Sequence, residues 1–339
     1  MSGPAGGKTV EAHASVTRRW AEIDLRAVAP FVALALLLVL GALSNENFLT
    51  VGNLLNVLAR SAFIAIIAVG ATFVISAGGL DLSVGSMVAF VASLTIMFLN
   101  SGIMAGPVLM LVAAILLTIA IGLVCGLANG LIITRGGIEP FIATLGTMGI
   151  FRGLTTWLSQ GGAITLSSAD IQSLYRPAYF GSVAGIPVPI LVIVVVALLG
   201  AFLLYRTGFG RHVAAVGSNE DVARYSGIPV DRIRIMTYVI QGVCVAVAVL
   251  LYVPRLGSTT ATTGLMWELQ AITAVVVGGT ALRGGVGRIW GTICGAFILE
   301  MVGNIMLLSN FASEYLIGAI QGAIIIIAML VQRSLIRKT

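Results

Sequence analysis

Charged side chains are scarce in this sequence. Its 339 residues include 19 lysines and arginines and 13 aspartates and glutamates, so charged residues make up 9% of the chain. A soluble globular domain carries roughly 25% charged residues, and a water-facing surface cannot be built from so few charges on a chain this long. The composition therefore excludes a cytosolic enzyme. It also excludes a disordered chain, because disorder requires low hydrophobicity and 58% of these residues are hydrophobic.

Histidine and cysteine are scarcer still. His13 and His212 have no companions at metal-ligand spacing, and two histidines offer no credible Ser–His–Asp set. Cys125, Cys244 and Cys294 lie inside apolar segments, at spacings unsuited to a metal site or a disulfide framework. We therefore expect no enzymatic active site, no metal site and no cofactor.

Long apolar runs, by contrast, recur along the whole chain, and its mean hydropathy is +1.07. A transmembrane helix needs about 20 apolar residues, and the short segments of alternating polarity that are typical of a β-barrel are absent. We predict an all-α, polytopic membrane protein of about ten transmembrane helices. The predicted spans are 28–43, 55–77, 84–99, 108–132, 141–158, 188–205, 235–253, 269–282, 290–308 and 315–331.

The positions of the cations predict the orientation of these spans. If the N-terminus is cytoplasmic and the helices alternate, most lysines and arginines fall in inside connections, and only Arg176 and Arg255 fall in outside ones. We therefore expect a cytoplasmic tail at 1–27, a transmembrane domain at 28–332 and a second cytoplasmic tail at 333–339. The first tail lacks the features of a signal peptide, so the first helix is expected to stay as an anchor. The net charge of +6 needs no nucleic acid to explain it.

The longest predicted inside connection, 206–234, is the most informative stretch. Ser218 followed three residues later by Asp221 resembles a capping box, and Gly227 fits a helix C-terminus. Two acids in the first turn would be favoured by the helix dipole. We predict a short helix at 219–226, which a solvated linker would not need and a docking element for a cytoplasmic partner would. The residues of this predicted coupling element are Ser218, Asn219, Glu220, Asp221, Ala223, Arg224 and Gly227.

Glycine pairs mark two predicted helix breaks. In the first break, between the second and third spans, Asp81 or Ser83 can cap the helix that follows. A tight turn with a capping acid is one interpretation. The other is functional, because an acid at a helix break lies near a pathway or a partner interface. The helix-break glycines are Gly78, Gly79, Gly278, Gly279, Gly284 and Gly285.

Glu300 lies in the middle of the ninth predicted span, with Asn304 one turn further along the same face. An ionised carboxylate facing lipid would cost several kcal/mol, so Glu300 must face protein or water. Its candidate partners are Arg60 and Arg152. A buried pair that holds the bundle together and a polar wall of a transport pathway both remain open. Weaker polar candidates of the same kind are Asn129, Gln241, Gln270 and Gln321.

Four motifs carry a family resemblance. The sequence DVARYSG at 221–227 resembles a relaxed EAA-x-x-x-G coupling motif of bacterial ABC importer permeases. Asp221 and Val222 replace its Glu and Ala, and Glu139 stands before Pro140 where an apolar residue or proline is expected. From about Phe48 onward, three further stretches are similar to ribose-, xylose- and galactoside-type permeases. These are GGLDLSVGSMVAF at 78–90, PFIATLGTMGIFRG at 140–153 and AITAVVVGGTALRGGVGRIWGTICGAFIL at 271–299.

The resemblance implies the permease subunit of an ATP-driven importer in the bacterial inner membrane, for a monosaccharide or a similar small polyol. Such subunits adopt the ABC importer permease fold and pair with a second copy or a close paralogue to enclose the pathway. They bind a cytoplasmic ATP-binding protein with two fused nucleotide-binding halves and a periplasmic or extracellular sugar-binding protein. The chain has no G-x-x-x-x-G-K-[ST] sequence, so we expect it not to be an enzyme. The alternative is an ion-coupled secondary transporter in which Asp81 and Glu300 carry the coupling ions.

Overall fold

The computed structural model describes residues 25–309 and, beyond them, residues 316, 318–320, 322–323 and 326. Most of the predicted N-terminal tail, most of the tenth predicted span (with Gln321) and the predicted tail at 333–339 lie outside the described residues. The part of the chain that is described is mostly helical, which agrees with the all-α prediction.

The helices and strands are numbered in chain order. The helices are α1 (Leu25–Ser44), α2 (Val51–Arg60), α3 (Ala62–Ser76), α4 (Val84–Asn100), α5 (Pro107–Thr134), α6 (Pro140–Ser159), α7 (Ala169–Tyr175), α8 (Pro177–Phe180), α9 (Val188–Arg206), α10 (Gly208–Ser218), α11 (Glu220–Tyr225), α12 (Val230–Leu256), α13 (Trp267–Val277) and α14 (Ile289–Ser309). The strands are β1 (Ile164–Thr165), β2 (Ser182–Val183), β3 (Ile186–Pro187) and β4 (Ser258–Thr259). Strand β1 pairs antiparallel with β4, and β2 pairs antiparallel with β3.

Among the described residues, four helices are long and apolar enough to cross a membrane, namely α5, α9, α12 and α14. Helices α2 and α3 would make a fifth span together, bent by 44° at Ser61. The described part of α1, together with α4 and α13, is apolar but shorter. Each of the first nine predicted spans coincides with a helix or with the α2–α3 pair, although α13 ends at Val277, earlier than predicted. The chain is therefore a polytopic membrane protein, and the count of about ten helices stays a prediction.

Helix α3 lies at the centre of the bundle. All of its residues except Ile64 are buried, and it packs against α9, α12, α13 and α14. The helix has no charged residue and is apolar on every side, which is typical of a helix surrounded by others. The break at its N-terminal end, Ser61, is buried with it, whereas Gly78 beyond its C-terminal end is exposed.

Glycines set the closest helix contacts. A Cβ atom on Gly122 of α5 would overlap the carbonyl oxygen of Gly242 on α12, and one on Gly126 would overlap that of Tyr238. Gly291 of α14 meets Gly278, just after α13, in the same way. Small residues let membrane helices approach until their backbones touch. These glycines therefore have a packing role.

Candidate functional site

The predicted coupling element forms a helix, but its N-cap residue differs from the predicted one. Helix α11 begins at Glu220, and the Oδ1 atom of Asn219 accepts a hydrogen bond of 2.9 Å from the backbone N–H of Val222. Ser218 is the last residue of α10, and its hydroxyl donates to the carbonyl of Ala214 within that helix. The predicted capping box of Ser218 and Asp221 is therefore wrong. Because α10 continues through Ser218, Asn219 is the first extended residue (φ −162°) and takes the cap.

The C-terminus of α11 follows the prediction. Gly227 has a φ of +79°, a conformation that glycine adopts without strain. Its N–H donates to the carbonyl of Arg224, and the N–H of Ile228 donates to that of Ala223. These bonds satisfy carbonyls that a helix end leaves unpaired.

Helix α10 is an element that sequence reasoning missed. Gly208 and Gly210 lower the helix propensity of this stretch, so it resembles a loop. The available signals were Thr207, whose Oγ1 accepts from the N–H of Gly210 at 3.3 Å, and the buried pair Val213 and Val216 at helical spacing. The connection at 206–234 is consequently a folded unit of two helices.

Ion pairs fix α11 to the beginning of α12. The two guanidinium nitrogens of Arg234 donate to the two carboxylate oxygens of Glu220 at 2.6 and 3.0 Å. Arg224 donates to Glu220 at 3.2 Å and to Asp231 at 3.1 Å. These hydrogen bonds, first to Glu220 and then to Asp231, raise the pKa of Arg224 above its ordinary value. The two carboxylates therefore stabilise the charged form of Arg224.

The opposite side of α11 is exposed and partly apolar. Ala223 is buried, whereas Val222 is 59% exposed and Tyr225 is 92% exposed. Asp221 is also exposed. A rigidly held helix with an exposed aromatic and an exposed aliphatic side chain is suited to contact another protein.

Three of the six helix-break glycines, Gly78, Gly284 and Gly285, approach Gly217 and Ser218 beside this element, in what we call the glycine junction (76–78, 217–218 and 284–285). The N–H of Gly285 donates to the carbonyl of Ser76 at 2.9 Å. A Cβ on Gly217 would overlap that carbonyl oxygen and lie 2.6 Å from the nitrogen of Gly285. Gly78 and Gly284 have φ angles of +81° and +86°. The junction thus joins the ends of α3, α10 and the α13–α14 connection.

The three remaining break glycines have other positions. Gly79 lies against Val74 and Tyr238, Gly278 packs on Gly291, and Gly279 (φ +84°) follows the C-cap of α13. Helices α3 and α13 end with the same hydrogen bonds, since the N–H of Gly79 donates to Val74 and the N–H of Thr280 donates to Val275.

Asp81 organises the turn that precedes α4. Its Oδ1 atom accepts from the N–H of Ser83 at 2.9 Å and from the hydroxyl of Ser83 at 2.6 Å. The side-chain amide of Asn129 donates to the same hydroxyl at 2.8 Å and lies 3.4 Å from Asp81 Oδ2. Neither Asp81 nor Ser83 caps α4 with its side chain. The predicted cap is therefore wrong, because both groups bond to each other and to Asn129.

Glu300 belongs to a second polar cluster, between α2 and α14. Of its two predicted partners it pairs with Arg60, whose Nε lies 2.9 Å from a carboxylate oxygen. One turn away, Asn304 exchanges two side-chain hydrogen bonds with Asn53, at 2.9 and 3.0 Å. The side chain of Arg60 is 50% exposed. Asp81 with Asn129 and Glu300 with Asn304 therefore form separate sites.

Arg152, the other predicted partner of Glu300, contacts a stretch that sequence reasoning passed over. Its guanidinium donates to the carbonyls of Ala261 and Thr263, the latter at 2.7 Å. Five of the seven residues from Ser258 to Gly264 carry hydroxyl groups. That density was the signal available in the sequence.

Within the described residues, no group of three or more His, Cys, Asp or Glu side chains could hold a metal ion.

Comparison with known proteins identifies relatives over most of the chain. The family model described as branched-chain amino acid transport system / permease component matches residues 53–329. The ribose import permease protein RbsC of Bacillus subtilis (strain 168) is 41% identical over 310 residues, covering 91% of this chain and 93% of the relative. RbsC of Haemophilus influenzae is 38% identical over 300 residues, covering 88% and 91%. The D-allose transport system permease protein AlsC of Escherichia coli (strain K12) is 33% identical over 303 residues, covering 89% and 90%.

Proposed function

This chain belongs to the branched-chain amino acid transport system permease family, and from that membership we propose that it is the membrane subunit of an ATP-driven importer for a monosaccharide or a similar small polyol. The family match and the relatives confirm the resemblance carried by the four sequence motifs. Relatives named for two different sugars, ribose and allose, match this chain at 41% and 33% identity. The proposal therefore names the class of substrate and not one sugar.

The observation that carries the proposal is the geometry of α11. A cytoplasmic ATP-binding protein with two fused nucleotide-binding halves would contact the exposed side chains of Val222 and Tyr225. Motion of α11 would reach α12 through Glu220 and Arg234. It would reach the α3 and α14 ends through Gly217 in the glycine junction. In this mechanism ATP hydrolysis by the partner opens the pathway alternately to each side of the membrane.

The exposed face of α6 supports a dimer, with a second copy or a paralogue. Gly146, Gly149 and Gly153 lie on this face, and no described atom lies within 4 Å of where their Cβ atoms would be. Helix α6 has 20 residues but is not apolar enough to count among the membrane-crossing helices. Glycines that leave room for close backbone approach, between exposed apolar side chains such as Leu145 and Ile150, fit another protein helix. We assign it to the second permease subunit, with ten helices in each subunit and both termini in the cytoplasm.

The opposite end of the bundle would receive the sugar-binding protein. Helices α7 and α8 and the two strand pairs lie in the connections predicted to be outside. Arg176 and Arg255, the two cations of the outside connections, line one cavity of about 190 Å³ there. Their charges suit an acidic contact from a partner protein.

The ion-coupled alternative has less support from the geometry. It needs Asp81 and Glu300 to bind and release cations. Asp81 already accepts two hydrogen bonds from Ser83, and Glu300 is paired with Arg60. Both carboxylates have partners in the chain that a coupling ion would have to displace.

The proposal is tested by substitution at Gly227. Leucine at a φ of +79° is strained by roughly 1–3 kcal/mol, whereas asparagine tolerates this conformation. We expect Gly227→Leu to keep ATP hydrolysis in the complex captured from native membranes and to lower D-ribose uptake about tenfold, with Gly227→Asn close to the parent. Wild-type uptake in both variants would contradict the coupling role of α11. A capture in nanodiscs that brings no ATP-binding protein would contradict the importer.

A further inference from the structure

The segment 257–266 between α12 and α13 enters the helix bundle without being a helix. One end of the segment is β4, which pairs with β1. This strand pair lies beside the C-terminus of α4, because the side chain of Asn100, the last residue of α4, donates to the carbonyl of Thr165 in β1 at 2.8 Å. The other end reaches the first turn of α4, where a Cβ on Gly85 would overlap the carbonyl oxygen of Gly264. Helix α4 has 17 residues and is roughly 25 Å long. Helix α13 consequently begins inside the bundle.

Irregular backbone at membrane depth is tolerated only where it is buried in protein or lines a water-filled cavity. The segment is partly open, because Thr262 is exposed, Leu265 is 60% exposed and Met266 is 51% exposed. Met266 also has a φ of +67°. A residue other than glycine in this conformation is strained, and such strain clusters at functional sites. These features are typical of the lining of an aqueous pathway.

Glu268 supplies a buried acceptor without a donor. It lies in the first turn of α13 and is only 9% exposed, and its Oε2 atom has no hydrogen-bond partner among the described residues. A Cβ on Gly85 would overlap both this atom and the carbonyl oxygen of Gly264. Two acceptor oxygens therefore converge beside Gly85. A buried carboxylate oxygen without a donor is costly, so a ligand hydroxyl at this point would be stabilised.

Arg152 adds donors to the same place. Its guanidinium donates to the carbonyls of Ala261 and Thr263, next to Gly264. The hydroxyl groups of Thr260 and Thr262 bond to each other at 3.0 Å and can each donate or accept. The carboxylate and hydroxyl groups of residues 258–268 and the guanidinium of Arg152 on α6 together match the donors and acceptors of a polyhydroxylated molecule.

We propose that residues 258–268, together with Arg152 of α6, form a contact site for a neutral, polyhydroxylated solute part-way along the transport pathway. This inference rests on the proposed function and deepens it. Glu268 accepts from solute hydroxyls, and Arg152 and Thr262 donate to solute oxygens. In the present conformation the guanidinium bonds to the segment itself. Binding exchanges those bonds for bonds to the solute, which releases α6 from the segment.

Water access to the segment is the first test. The chain's cysteines at 125, 244 and 294 are buried, so a cysteine introduced at Thr262 can be followed with a charged, water-soluble thiol reagent on the complex in nanodiscs. We expect Thr262→Cys to react at least tenfold faster than Leu198→Cys, which is exposed on the apolar helix α9. D-Ribose, used as the probe, should slow the labelling of Thr262→Cys. It should leave the labelling of Ser182→Cys on the exposed strand β2 unchanged.

The role of the carboxylate is the second test. Glu268→Gln keeps the shape of the side chain and removes its charge. Because hydrogen bonds to charged groups are the stronger ones, we expect the ribose concentration for half-protection of Thr262→Cys to rise about tenfold and D-ribose uptake to fall. Labelling without ribose should stay unchanged, which shows that the variant is folded. Glu139→Gln, an exposed acid beside the α11 end of the bundle, is the matched control and should behave as the parent does.

The two hypotheses fail in different ways. If the parent complex takes up no sugar in an ATP-dependent manner, the proposed function fails, and the labelling comparison still decides whether the segment is water-accessible. If uptake is normal and Thr262→Cys is no more reactive than Leu198→Cys, the inference is overturned and the importer stands. Unchanged uptake and ribose protection in Glu268→Gln would also overturn it.

Discussion

Single glycines decide how closely the helix breaks of this protein can approach. Gly217 stands where the ends of α3 and α10 and the turn at Gly285 touch backbone to backbone. No side chain fits there, because the atoms around the missing Cβ are carbonyl and amide atoms that cannot rotate away. Gly146, by contrast, faces open space in the described part of the chain. The two positions make a matched pair for testing the junction.

We predict that Gly217→Ala destabilises the protein by about 1–3 kcal/mol, the usual cost of overpacking. Gly146→Ala should leave the stability of the isolated subunit nearly unchanged or slightly higher, since alanine favours a helix. Unfolding by SDS titration in mixed micelles measures both. Equal stability of the two variants would show that the glycine junction can rearrange at little cost.

Asn219 and Ser218 differ in what their side chains do, although they are neighbours. Asn219 caps α11, whereas Ser218 bonds within α10. We predict that Asn219→Ala costs about 1 kcal/mol and that Ser218→Ala costs close to nothing. Hydrogen exchange of the Val222 amide, which loses its acceptor in the first variant only, is the measurement. If the Val222 amide loses protection in Ser218→Ala and not in Asn219→Ala, Ser218 is the N-cap of α11.

At the scale of elements, α11 is too short to be stable alone. It has six residues, and isolated helices below about 12 residues are marginal in water. Its position therefore depends on the ion pairs to α12, on the burial of Ala223 and on its two caps. An element held from one side in this way can move as a unit with α12.

The charge swap Glu220→Arg with Arg234→Glu tests this attachment. Each single substitution places like charges together, and we expect each to destabilise α11 by about 1 kcal/mol, because the pair is partly exposed. The double substitution should recover part of that loss as a favourable coupling free energy, and not all of it, because an arginine at position 220 also faces Arg224. Hydrogen exchange of the α11 amides at low salt measures the coupling free energy. If the effects of the two single substitutions are strictly additive, the Glu220–Arg234 pair does not hold α11 to α12.

At the scale of the whole molecule, the described chain distributes its apolar surface unevenly. Helices α5 and α9 are strongly apolar and largely exposed, as lipid contact requires. Helix α6 is less apolar and presents glycines. We propose that α5 and α9 contact lipid and that the glycine face of α6 contacts a second subunit.

We predict that Gly149→Cys gives a disulfide-linked dimer in native membranes under mild oxidation, because helices that meet across glycines bring their Cα atoms within disulfide reach. Leu198→Cys on α9 should stay monomeric. Migration on non-reducing gels distinguishes the disulfide-linked dimer from the monomer in both variants. Cross-linking through Leu198 and not through Gly149 would place the second subunit on the other side of the bundle.

The sequence by itself determined the properties that depend on local composition and period. Apolar runs predicted the helical membrane protein, the acids and Gly227 predicted α11, and the mid-span charge of Glu300 predicted a polar partner. These predictions succeed because a membrane span and a helix end at glycine depend on the local sequence, which no distant residue changes.

Only the tertiary structure decided which distant groups meet. Glu300 pairs with Arg60 and not with Arg152. Gly217 contacts Ser76 and Gly285, and the segment 257–266 contacts Gly85. All of these contacts join segments that are far apart in the chain. Even the cap of α11 depended on where α10 ended. Such contacts depend on how whole helices pack and on where glycine lets two backbones approach. Neither can be predicted from the residues on one side of the contact alone.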